Sequence, residues 1–79
     1  MEKKIIQIYG GLRRDLPNNI SLFLYKRMFN TILCIGKTDN IYVFDDQYWY
    51  MNYEDAVRIF ETWDGINEPD GWFLHPSNW

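Results

Sequence analysis

Residue types that carry chemistry are scarce in this 79-residue chain, which has one cysteine, one histidine, three prolines and five glycines. A lone Cys34 excludes an internal disulfide, so nothing crosslinks the fold. With no paired Cys or His spacing anywhere, three or four zinc ligands have no obvious source. The glycines are not grouped as a phosphate-cradling loop. No apolar run is long enough to span a bilayer. Met1 to Ile8 has two lysines but only a few apolar residues after them, so no secretory leader is expected there, and Arg13 and Arg14 lack the apolar run of a twin-arginine signal. Together these absences point to a soluble cytoplasmic protein that does not engage membranes. The Asn19, Ile20, Ser21 sequon has no consequence there. At this length we expect one domain over 1–79, with one core.

Catalysis is equally short of material. The one nucleophile-and-base combination on offer is Cys34 with His75. Cys34, however, is centred in the most apolar stretch of the chain, and His75 lies beside Pro76, so a packed thiol and a solvated imidazole are expected instead. Asp64, Asn67, Glu68 and Asp70 are clustered, but they lack the alternating ligands, sixth-position glycine and following helix of a calcium loop. Asp45 and Asp46 are neighbours in an extended run and point to opposite faces, which prevents paired acid and base work. We therefore expect no catalytic residues, no metal and no cofactor.

What the chain does have is rings and an uneven distribution of charge. Fifteen residues are aromatic, more than so small a core encloses, and the net charge is −3. Up to Thr38 seven basic residues (Lys3, Lys4, Arg13, Arg14, Lys26, Arg27, Lys37) face two acidic ones, a balance of +5. From Asp39 onward only Arg58 opposes nine carboxylates, a balance of −8. Eleven of the fifteen rings lie in that acidic half.

Periodicity predicts an α+β fold: an antiparallel sheet of about four strands, one helix across one face, and an irregular aromatic C-terminal tail. The strands are expected at about 3–9, 20–27, 31–36 and 41–50. Ile20 to Arg27 alternates with period two, and Ile32 to Ile35 is apolar on both faces like a central strand. The rival is a helix over residues 21–35. Leu12 to Asn19, with two arginines, Pro17 and two asparagines, reads as a loop. Asp45 and Asp46 mark either a bulge or a turn dividing the last strand. The helix is expected at about 53–63, with Asn52 as N-cap and Glu54 and Asp55 in the first turn. Ala56, Val57, Ile59, Phe60 and Trp63 form its apolar stripe, Glu54 pairs with Arg58, and Gly65 stops it in a left-handed conformation. The tail, 66–79, is expected to fold back on the sheet.

Aromatic anchors rimmed by charge are what protein interfaces favour. The function expected is therefore a non-catalytic protein-binding module, an inhibitor or adaptor, that docks an acidic, aromatic face on a basic surface of a partner. Its candidate residues are Asp45, Asp46, Tyr48, Tyr50, Glu54, Asp55, Glu61, Asp64, Trp72 and Trp79, with Tyr48, Tyr50, Trp72 and Trp79 as the exposed rings. Spaced carboxylates imitate phosphates, so the partner could be a nucleic-acid-handling complex whose channel they block. In size and charge the chain resembles the small acidic proteins of phages and mobile elements, anti-CRISPR proteins among them. The alternative is direct nucleic-acid binding by the basic half, with Lys26 and Arg27 flanked by Tyr25 and Phe29. A small Cys34-dependent enzyme stands third. An exposed sheet edge at Lys3 to Tyr9 or Ile20 to Arg27 offers a route to a homodimer.

Overall fold

The computed structural model describes residues 5–73, those at 41 and 42 by backbone alone. It is an α+β fold: five antiparallel strands in sequence order, crossed on one face by one helix. The strands are β1 (Ile5–Ile8), β2 (Gly11–Leu16), β3 (Ile20–Lys26), β4 (Thr31–Lys37) and β5 (Asn40–Tyr50), followed by α1 (Tyr53–Thr62). Each strand pairs with the next, so the connections are short hairpins. Glycine and asparagine make the turns: Gly10 has φ 81, and Asn18 and Asn19 have φ 66 and 62, a region these residues enter at little cost.

The strand beyond the expected four is β2, which falls in the segment expected to be a loop. Residues 11–16 pair along their full length with β3, and residues 11–14 also pair with β1, which corrects the sheet from four strands to five. Leu12, Arg14 and Leu16 face α1, while Arg13 and Asp15 face the other side, so the alternation holds once Arg14 is counted as inward. β3 is the middle strand and β4 its neighbour. This rules out a helix over 21–35 and removes Ile20 to Arg27 from the candidate edges.

Asp45 is a bulge. Ile35 pairs with Asp46 but Gly36 pairs with Phe44, so Asp45 is the extra residue. One inserted residue reverses side-chain parity. Asp46, Tyr48 and Tyr50 point to the helix side, whereas Phe44 points to the opposite side. Gly36 sits where the bulge brings two backbones together; a Cβ there would lie 2.8 Å from the Val43 carbonyl oxygen.

The helix forms as its sequence dictates. The Asn52 side chain accepts from the Glu54 amide at 2.8 Å, and Glu54 and Asp55 occupy the positive end of the dipole. Ala56, Ile59, Phe60 and Trp63 are buried against Leu22, Leu24, Leu33, Tyr48 and Tyr50. The helix ends at Thr62, because Trp63 is extended at φ −70, ψ 137; Gly65, left-handed at φ 79, comes two residues later. The expected Glu54–Arg58 pair gives way to Arg58–Asp55 at 3.5 Å.

Beyond the helix the chain folds back on the same side of the sheet as far as it is described. Pro69 is buried, Trp72 is half-buried on the core, and the Phe73 amide donates to the Trp49 carbonyl at 2.9 Å. Residues 74–79, with His75 and Trp79, lie outside the described residues.

Phe60, completely buried between α1 and the sheet, is the residue whose removal should matter most. Phe60→Ala should cost about 3–5 kcal/mol, against about 1 kcal/mol for Asn52→Ala. Urea melts followed by circular dichroism check both, and equal losses would contradict this packing.

Candidate functional site

The helix layer carries most of the negative charge. Glu54, Asp55 and Glu61 stand on exposed positions of α1, and Asp64, Glu68 and Asp70 on exposed positions of the segment behind it. That segment packs on the helix face: Gly65 lies against Ile20, Leu16 and Ile35, and Gly71 against Tyr50. Six exposed carboxylates therefore belong to the layer covering one side of the sheet. Asp46, half-buried, lies on the same face of the sheet beneath them. Arg58 is the one exposed cation of α1, and Asp55 already holds it.

Asp45 does not join this group. The bulge carries it to an exposed position where its carboxylate meets Lys37 at 3.4 Å.

Two of the expected exposed rings are corrected. Tyr48 and Tyr50 are 5% and 1% exposed, core residues rather than anchors. Asp45 and Asp46 mark a bulge or a turn in the sequence, but which of the two forms, and the side on which the helix lands, depend on distant contacts. The Tyr48 ring meets Trp63 edge-on at 5.7 Å and Trp72 at 5.9 Å, contacts worth about 0.5–1.5 kcal/mol each beyond burial. Their hydroxyls are satisfied at the rim: Tyr48 donates to Asp46 at 3.2 Å and Tyr50 to the Asp70 carbonyl at 2.7 Å. Burial, then Asp46 and Glu68, push the Tyr48 phenol up to about 12. Burial and Asp70 raise that of Tyr50, and Arg58 opposes them.

A second group of exposed apolar side chains, of which sequence reasoning named Phe29 alone and only for the nucleic-acid alternative, is at the opposite end of the sheet from Gly65. Met28 and Phe29 in the β3–β4 turn are 88% and 86% exposed, and Tyr9 in the β1–β2 turn is fully exposed. Met51 and Tyr53, where β5 passes into α1, share that end. A signal was present, since Met28 and Phe29 fall between two strands and have no strand face to join.

The basic half is largely engaged. Arg14 is buried, donates to the Trp63 carbonyl and thereby supplies the positive charge that the last turn of α1 lacks. Burial lowers its pKa, partly offset by Glu61. Arg13 binds Asp15 at 2.7 Å and lies over the Phe23 ring; Lys26 lies 4.9 Å from the Tyr53 ring centre.

Cys34 faces the side of the sheet away from α1, buried with Phe23 and Ile32. Burial pushes its thiol up to about 12, partly opposed by Arg27. A thiol so placed is a poor nucleophile at neutral pH. The Ser21 hydroxyl donates to Asp15 at 2.6 Å and shares a 2.8 Å hydrogen bond with Thr38; no imidazole lies within the described residues. Among those residues no group of three or more His, Cys, Asp or Glu is placed to hold a metal. No described helix is long and apolar enough to cross a membrane.

Two outcomes follow from the buried groups. Cys34 should react with a thiol reagent at pH 8 at least about 100-fold more slowly than a free thiol, accelerating as urea unfolds the chain; prompt reaction of the native protein would place it at the surface. A raised phenol favours the neutral form in the folded state. Stability contributed by Tyr48 is then complete below its ordinary value of 10.0 and lost as pH climbs toward about 12. Melts across that window should show a decline that Tyr48→Phe makes shallower. Comparison with family models, with curated proteins and with solved structures finds no match to this chain.

Proposed function

We propose that the protein is a non-catalytic binding module that docks its helix side on a basic surface of another protein. The observation that carries this reading is the carboxylate layer: Glu54, Asp55, Glu61, Asp64, Glu68 and Asp70 exposed around Arg58, itself paired to Asp55. Long-range attraction between such a layer and a cationic surface speeds encounter and fixes orientation. Spaced carboxylates on a rigid helix also suit the phosphate-binding Lys and Arg of a nucleic-acid-handling complex, the inhibitor or mimic version of the same reading. Trp72, half-buried at the border of the layer, and the exposed Phe73 add apolar contact there.

Direct nucleic-acid binding has less support. Of the basic residues between positions 5 and 38, Arg14 is buried, Arg13 and Lys37 are ion-paired and Lys26 is stacked on a ring. Among the described residues Arg27 is then the one cation of that half in no ion pair or ring contact, whereas phosphate tracking by single-strand binders draws on several; Lys3 and Lys4 lie outside the described residues.

Charge reversal tests the reading. With a partner captured from the source cells and purified, Glu54→Lys, Asp55→Lys and Glu61→Lys combined should slow association at least about tenfold at low salt. Circular dichroism confirms that the variant is folded. An unchanged association rate would contradict docking through this layer. Labelled single-stranded and duplex DNA should not bind at low salt; binding that weakens steeply with salt would favour the nucleic-acid alternative.

A further inference from the structure

The two edges of the sheet are finished differently. Beside the C-terminal end of β5 lies the chain's own C-terminal segment, tied by the Phe73 amide to the Trp49 carbonyl and by the Tyr50 hydroxyl to the Asp70 carbonyl. Outside β1 no described strand pairs. An edge strand aims every second N–H and C=O outward, and sheets blunt such edges with charge, proline or a bulge. The β1 sequence Ile-Ile-Gln-Ile has neither charge nor proline, and it pairs with β2 without a bulge. Ile5 and Ile6 are each 38% exposed.

We propose that the outer edge of β1 pairs antiparallel with β1 of a second copy of this chain, across a two-fold axis, joining two five-stranded sheets into one. Three features select a second copy. In a two-fold strand pair each residue meets its own or a near-neighbour type, so a charged strand repels itself; this one is neutral. Antiparallel partners share a face, so a register centred on Gln7 stacks Ile6 against Ile8 of the second copy. That contact extends the apolar row of Ile8, Phe23 and Tyr25, on the side away from α1, across the seam. Finally, the β5 edge carries the bulge at Asp45, the adjacent carboxylates of Asp45 and Asp46 and, at Trp49, the chain's own C-terminal segment; all three oppose head-to-tail addition of β1 to β5, so the contact closes at two copies and does not grow into a fibre. Four residues a side make a small interface, which sets the dissociation constant on the order of tens to hundreds of micromolar.

Sedimentation of the full chain from about 5 μM to about 1 mM spans that range. The mass should rise from one copy to two and stop there, with exchange of alternate β1 amides slowing as concentration rises. Ile6→Lys and, independently, Ile5→Lys should each weaken association at least about tenfold by placing cations on both sides of the seam. Circular dichroism confirms that each variant is folded. Phe29→Ser, at the exposed hairpin end, should leave association unchanged. A wild-type chain monomeric throughout would overturn the proposal. So would assembly beyond two copies, a dimer undiminished in both folded lysine variants, or one lost in Phe29→Ser.

Discussion

Burial of one stripe of α1 against one face of the sheet is the constraint on which the remaining features depend. Ala56, Ile59, Phe60 and Trp63 go down onto Leu22, Leu24, Leu33, Tyr48 and Tyr50. Because an α-helix returns to the same face every three to four residues, Glu54, Asp55, Arg58 and Glu61 must then go up. The charge of the helix layer is thus a by-product of core packing. The same burial brings the C-terminal end of α1 over β2, where Arg14 finds the Trp63 carbonyl, and so takes a cation out of the basic half.

The bulge at Asp45 decides which side each ring of β5 occupies. Without the extra residue, Phe44 would share a face with Tyr48 and Tyr50, and the two apolar faces would exchange members. With it, Tyr48 and Tyr50 complete the core under the helix, while Phe44 joins Phe23, Ile32 and Cys34 on the far side. Both faces of the central strands are consequently apolar, which explains the unbroken run from Ile32 to Ile35 and the placement of a buried thiol on the side away from α1.

How much of this was legible in the sequence follows from where the determining contacts lie. The helix, its Asn52 cap and its two faces depend on residues within four positions of one another, and they formed at their expected places. So did β3 and β4, whose patterns are local. β2 was missed because Arg13, Arg14 and Asp15 look like solvated loop residues; Arg14 is inward only because a helix end 49 residues away offers it a carbonyl. The burial of Tyr48 and Tyr50 depends on the same long-range choice of face, and the loss of the Glu54–Arg58 pair on which rotamer of Arg58 reaches Asp55. Of the candidate site, the carboxylates on the helix were legible, whereas Asp45 and the two tyrosines were not.

As far as it is described, the protein is a small meander with one acidic side, covered by α1, one apolar side opposite it, and one edge, at β1, that no described strand pairs. The helix side is where we propose that a partner docks, and carboxylate footprinting of the complex tests that most directly. Modification of Glu54, Asp55, Glu61 and Asp64 should fall on binding, with Asp45 modified as in the free protein. Unchanged modification of all four, with protection confined to the side away from α1, would contradict it.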